Sequence, residues 1–131
     1  MTINQITPDQ AKATLDEDPG SIYVDVRSVP EFTAGHPAGA INIPILHMIQ
    51  GQMAPNPDFK QVVQKILPKD KKLIVGCKSG GRSQSACQLL QQLGYTDLSN
   101  VAGGFGEWQG SGLPVSQENG DGVSYESLSE V

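Results

Sequence analysis

Cysteine is scarce in this sequence: Cys77 and Cys87 are the only two among 131 residues. Two thiols cannot build a disulfide framework, and the two histidines, His36 and His47, stand at no recognisable metal-ligand spacing. Neither covalent staples nor a bound metal is expected, and nothing points to a cofactor. Long apolar runs are missing too. No stretch approaches the roughly 18 residues of a membrane-spanning helix, and Met1-Thr2-Ile3-Asn4-Gln5 lacks the basic and apolar regions of a secretory signal, so a cytoplasmic setting is expected. Positive charge is short as well, with nine Lys and Arg against 14 Asp and Glu and a net charge of −5. Glu118, Asp121, Glu126 and Glu130 lie in a C-terminal stretch without any Lys or Arg, and without those four acids the body carries a net charge of −1. Such a body has no basic footprint for nucleic acid and no basic helix for a membrane surface. Small molecules or other proteins remain as partners, and a monomer is the expected state.

What is present is an alternation of apolar strands and helical stripes of about the length of one domain. Thr7-Pro8-Asp9-Gln10 has the composition of a helix start, with Thr7 as N-cap, Pro8 in the first turn and Gln10 completing a capping box, and the helix should end before Pro19-Gly20. Ile22 to Val26 reads as a strand and leads to a turn where Pro30 suits a helical start. Ala38 to Pro44 predicts a further short strand. Pro57 to Leu67 sets Phe59, Val62, Val63, Ile66 and Leu67 at helical spacing. Leu73-Ile74-Val75-Gly76-Cys77 reads as a buried strand. Ala86, Cys87, Leu90 and Leu93 then form one helical stripe before Gly94, Asp97 to Val101 gives another strand, and Gly104 to Gln109 a short helix. This order predicts an α/β fold, a central parallel sheet flanked by helices on both faces, with ligands at the carboxyl ends of the strands. The predicted division is a domain over residues 1–116 and an acidic, disordered tail over 117–131.

The chemistry concentrates in Cys77-Lys78-Ser79-Gly80-Gly81-Arg82-Ser83, which joins a buried strand to a helix. Two glycines let the backbone curl so that several N–H groups face one point, the arrangement that stabilises an anion. With the positive end of the following helix and the cations Lys78 and Arg82, this nest should depress the Cys77 pKa and favour the nucleophilic thiolate. Cys87, among Ala86, Leu90 and Leu93, reads as core packing. Gly76 to Ser83 nearly fits the nucleotide-binding pattern, but Arg82 stands where that pattern needs lysine. A cysteine-dependent phosphatase or arsenate reductase would have five residues between Cys and Arg, and here there are four.

Further motifs occur in register with this loop: Asp25-Val26-Arg27 with Glu31-Phe32, then Gly35-His36-Pro37-Ala38-Gly39-Ala40-Ile41-Asn42-Ile43-Pro44, and finally Val101-Ala102-Gly103-Gly104 with Trp108, Gly112 and Pro114. Over roughly residues 3 to 115 the sequence resembles the rhodanese family, with Pro37-Ala38 standing where the family often has an aliphatic residue followed by proline. The resemblance implies a rhodanese-like fold and a thiosulfate sulfurtransferase. In its cycle Cys77 takes the outer sulfur of thiosulfate or a similar donor as a persulfide and gives it to cyanide or a thiol. Lys78, Ser79, Gly80, Gly81, Arg82 and Ser83 would bind the substrate. The partners implied are a small-molecule donor and acceptor, with a thiol protein or glutathione among the acceptors.

Other residues fit plainer roles. Asp25, Arg27 and Glu31 read as a structural ion-pair group, His36 as the holder of a turn, and Trp108 as a packing anchor. Lys65, Lys69, Lys71 and Lys72 read as a solvated rim. A competing function is a sulfur-carrier or regulatory module, which needs the same cradle.

Overall fold

The computed structural model of the chain describes residues 3–130. Strand β1 (Asn4–Ile6) leads through Thr7 into helix α1 (Pro8–Glu17). Thr7 Oγ1 accepts the Gln10 N–H at 3.2 Å and Gln10 Oε1 accepts the Thr7 N–H at 2.9 Å, which is the expected capping box. Strand β2 (Ile22–Asp25) is followed by α2 (Val29–Ala34), with Pro30 in its first turn, and by the short strands β3 (His36–Pro37) and β4 (Ile41–Asn42). A hairpin of β5 (Leu46–Ile49) and β6 (Gln52–Pro55) precedes α3 (Phe59–Ile66). Then come β7 (Leu73–Gly76), α4 (Gly81–Gln92), β8 (Leu98–Val101), α5 (Gly104–Gly110), β9 (Val115–Ser116) and α6 (Tyr125–Ser129).

Five strands form one parallel sheet in the order β1-β8-β7-β2-β4. Side chains alternate across a strand, and this sorts the core into two layers. Val24, Leu73, Val75 and Leu98 pack with Val62 and Val63 of α3 and with Ala86, Cys87 and Leu90 of α4. Tyr23, Ile74 and Val101 pack on the opposite face with Ala11 of α1, Phe32 of α2 and Phe105 and Trp108 of α5. Both faces of the sheet are therefore covered by helices, which explains why β7 is apolar and buried at every position. Trp108 meets Tyr23 edge-on at 5.7 Å and its Nε1 donates to Pro114 O at 2.8 Å.

Pairing of Val24 with Val75 and of Val75 with Asn100 brings the carboxyl ends of β2, β7 and β8 side by side. That end carries Arg27, Cys77 and the Gly103-Gly104 turn. Gly76 closes β7 because a Cβ there would lie 1.9 Å from Tyr23 Oη.

Two expectations are corrected. Of the strand expected over Ala38 to Pro44 only Ile41–Asn42 pairs with the sheet, since Gly39 turns the chain with φ +88°. The tail expected to be disordered from Gln117 instead lies on the body. The Asn42 N–H donates to Val123 O at 2.9 Å, Asn56 Nδ2 donates to Tyr125 Oη at 3.1 Å, and Leu128 is buried in the α3 layer. Tyr125 and Leu128 stand three apart on one face of α6, so a few well-placed apolar residues hold a segment whose average composition is polar.

Candidate functional site

The loop after β7 is held from two sides. The Phe105 N–H donates to Cys77 O at 2.7 Å and the Gly106 N–H to Lys78 O at 3.0 Å, so the first turn of α5 grips the backbone on either side of the Cys77-Lys78 peptide. This approach requires glycine: a Cβ on Gly104 would lie 2.5 Å from Cys77 O. On the other side Gly80, left-handed at φ +108°, caps α4 and turns its N–H to Cys77 Sγ at 3.0 Å. Ser83 Oγ stands 3.4 Å from the same sulfur. Cys77 Sγ thus sits at the amino end of a 12-residue helix with donors aimed at it.

Burial by itself would push the Cys77 thiol up, for the residue is only 2 % exposed. The Ser83 hydroxyl and the N–H groups of Ser83, Gly80 and Ser79 outweigh that cost, and the thiol is held below its ordinary value. Cys87 lies in the same apolar layer with no such donor among the described residues, and burial, then the Cys77 charge, push it up to about 12.

The two cations of the loop have different settings. Arg82, which the sequence offers with Lys78 as a cation of the nest, forms a bidentate pair with Glu31, at 2.7 and 3.0 Å, and its charge is met there. Glu31 also accepts from the Ser28 N–H at 3.2 Å, and the Arg82 hydrogen bonds are the main reason its carboxyl falls to about 2. Lys78 makes no ion pair among the described residues and borders a cavity of about 660 Å³, shared with Arg27, Glu31, Phe105, Val115 and Gln117. Arg27 is buried, paired with Asp25 at 2.8 Å, bonded to Gly35 O at 2.7 Å and stacked 4.4 Å above the Phe105 ring. The sequence placed Asp25, Arg27 and Glu31 in a single ion-pair group. They divide into two pairs, and Arg27 also lines the cavity. His36 Nδ1 lies 2.7 Å from Phe32 O and its ring stacks on Phe32, in keeping with a turn-holding role.

Ser79 contributes its backbone N–H rather than its side chain, and Gly81 begins α4. Sequence reasoning missed Asn100, whose Oδ1 hydrogen-bonds to Ser83 Oγ behind the thiol. A polar residue inside the buried strand Leu98–Val101 was the signal available for it.

The rhodanese-like domain family matches residues 7–111 of the chain. Thiosulfate sulfurtransferase 16, chloroplastic, of Arabidopsis thaliana is 41% identical over 96 residues, covering 73% of this chain and 80% of that protein. Senescence-associated protein DIN1 of Raphanus sativus is 38% identical over 98 residues, which cover 75% of this chain but only 54% of that protein, so the chain spans about half its length. Among solved structures, the crystal structure of Rv0390 from M. tuberculosis aligns with a TM-score of 0.77 and 27% identity, covering 90% of this chain and 100% of that one. The matched region contains the Cys77 loop together with the Asp25-Val26-Arg27 and Val101-Ala102-Gly103-Gly104 segments, and the chain belongs to the rhodanese family.

Proposed function

We propose that the protein is a sulfurtransferase in which Cys77 carries a sulfane sulfur, as a persulfide, from thiosulfate or a similar donor to a thiophilic acceptor. The observation that carries this reading is the set of donors around Cys77 Sγ, the Gly80 N–H at 3.0 Å and the Ser83 hydroxyl at 3.4 Å, at the start of α4. They favour the thiolate, which is the attacking form. The thiolate attacks the outer sulfur of thiosulfate, a new S–S bond forms at Sγ, and the old S–S bond breaks with its electron pair leaving on sulfite. An acceptor thiolate or cyanide then attacks the outer sulfur, and Sγ departs as a thiolate.

Attraction of an anionic donor rests on Lys78, because Arg82 is already paired. The cavity of about 660 Å³ beside Lys78 is far larger than thiosulfate fills, which supports an organic thiol such as glutathione, or a cysteine on a protein, as acceptor. Both cysteines are free, which suits a reducing compartment such as the cytoplasm.

The test is the mass of the intact protein after incubation with thiosulfate. Wild type and Cys87→Ala should each gain one sulfur atom and Cys77→Ser none, and the added sulfur should be lost on addition of cyanide. No gain by wild type from thiosulfate or any other sulfane donor would remove the reading.

A further inference from the structure

A chain of polar side chains runs from the surface to the back of the thiol. Gln5 Nε2 donates to Gln84 Oε1 at 2.7 Å, Asn100 Nδ2 donates to Gln5 Oε1 at 2.8 Å, and Asn100 Oδ1 meets the Ser83 hydroxyl, 3.4 Å from Cys77 Sγ. The amide of Asn100 is oriented by its nitrogen, which faces Gly80 O at 3.5 Å as well as Gln5, so its oxygen is the atom turned to Ser83. A hydroxyl has one proton and two lone pairs. Around Ser83 Oγ stand three acceptors, Asn100 Oδ1, Gly80 O at 3.1 Å and Sγ, and only one of them can take that proton. Gly80 O already accepts the Gln84 N–H at 3.0 Å, and Asn100 Oδ1 is the nearest of the three.

We propose that Asn100 is a positioning residue: it holds the Ser83 hydroxyl proton away from Cys77 while Sγ is neutral and yields it when Sγ becomes an anion. With the proton on Asn100, a Ser83 lone pair faces Sγ, which suits a thiol S–H. In the persulfide the negative charge lies on the outer sulfur and Sγ is again neutral. When the acceptor attacks the outer sulfur, the S–S bond breaks, Sγ keeps the electron pair, and the hydroxyl turns to donate to it. That donor contact exists for the departing thiolate and not for the persulfide, the condition under which an interaction lowers a barrier instead of tightening the ground state. This role rests on the sulfur-transfer reading, whereas the hydroxyl switch itself is measurable on the thiol alone. Groups coupled electrostatically to Cys77 include Tyr23 from β2 and Cys87 and Arg82 from α4, the last paired with Glu31 of α2, with the cation Lys78 next to Cys77 in the loop, and substitution at Asn100 replaces none of them.

The test is the rate of Cys77 alkylation by iodoacetamide against pH, with the site assigned by mass, in wild type, Asn100→Leu, Asn100→Asp, Ser83→Ala and Ser83→Ala/Asn100→Leu. Freed from its competitor, the hydroxyl in Asn100→Leu should stabilise the thiolate, raising the rate at neutral pH about threefold to tenfold, the worth of one hydrogen bond. Asn100→Asp preserves the packing, holds the proton more firmly and adds charge, so it should slow the reaction. If the leucine variant does not fold, Asn100→Asp is compared with Ser83→Ala/Asn100→Asp, and an equal slowing with and without Ser83 is the added charge alone and overturns the proposal. Ser83→Ala should slow alkylation too, and in that background Asn100→Leu should change nothing. An equal effect of Asn100→Leu with and without Ser83, or a slower Asn100→Leu, overturns the proposal. If wild type accepts no sulfur while the alkylation pattern holds, the sulfur-transfer reading falls and the switch stands. If wild type transfers sulfur but alkylates at the same rate as Asn100→Leu, the switch falls alone.

Discussion

Cys77 and Cys87 share one apolar layer of the core, ten positions apart in sequence and both buried, yet their thiols are shifted in opposite directions. Cys87 sits inside α4, where backbone N–H groups are committed to the helix, and burial drives its pKa to about 12. Cys77 sits just before the same helix, at the end where N–H groups are free, and Gly80 bends one of them onto the sulfur. Burial is common to both sites. What separates a reactive cysteine from a packed one is the supply of donors, and the chain supplies them by breaking the backbone into a left-handed turn at one residue.

The broadest way to break this contrast is to remove each sulfur in turn. Cys77→Ser should lower thiosulfate-to-cyanide transfer by a factor on the order of 10³ or more, as loss of a nucleophile does. Cys87→Ala should keep most activity and cost roughly 1 kcal/mol of stability, a small-volume core truncation read by denaturant unfolding. Equal losses in both folded variants would show that the two cysteines work together.

The next largest effect should come from the clamp. A Cβ on Gly104 meets Cys77 O at 2.5 Å and the Lys78 carbonyl carbon at 2.7 Å, with φ +55°. Gly104→Ala should therefore cost about 1–3 kcal/mol and displace the cradle, with at least a tenfold loss of sulfur loading. Gly110→Ala, with open space around its Cβ, should leave both unchanged or add a few tenths of a kcal/mol. On the Cys87 side of the core the sensitive point is Leu128. Leu128→Ala should lower stability by about 2 kcal/mol while thiosulfate transfer per folded molecule stays near wild type.

The smallest effect concerns the Arg82–Glu31 pair. Glu31 is lowered from 4.5 to about 2 in the folded protein. A depressed acid contributes stability that is fully present above its unfolded pKa and is lost as pH falls through the folded one. The melting temperature of wild type should exceed that of Glu31→Gln at pH 7, and the gap should close between about pH 4.5 and pH 2. A gap independent of pH would mean that the pair contributes through packing alone.

A parallel sheet covered by helices on both faces and the Cys77 loop are legible because each depends on short-range pattern, whereas the strand order β1-β8-β7-β2-β4 depends on pairings between distant segments. Short continuous apolar strands, the Thr7 capping box and the glycines flanking Cys77 act on their own neighbours. The rest depends on partners distant in sequence. Arg82 reads locally as a free cation at a helix start, but its pairing with Glu31 spans 51 positions. Asn100 reads as one polar residue in a strand, and its meaning comes from Gln5, 95 positions away, and from Ser83, 17 away. The β5–β6 hairpin went unread because Met48, Ile49 and Met53 are exposed there and no alternation marks a buried face. The tail was misjudged for the converse reason, since its average composition hides Leu128.

The central claim, that donors and not burial decide which cysteine is reactive, is tested most directly by alkylating the native wild-type protein across pH and assigning each modification by peptide mass. Cys77 should react with a midpoint below 9, the ordinary thiol value, while Cys87 stays unmodified across the range in which the protein remains folded. A Cys77 midpoint at or above 9, or modification of both cysteines at similar rates, would contradict the account.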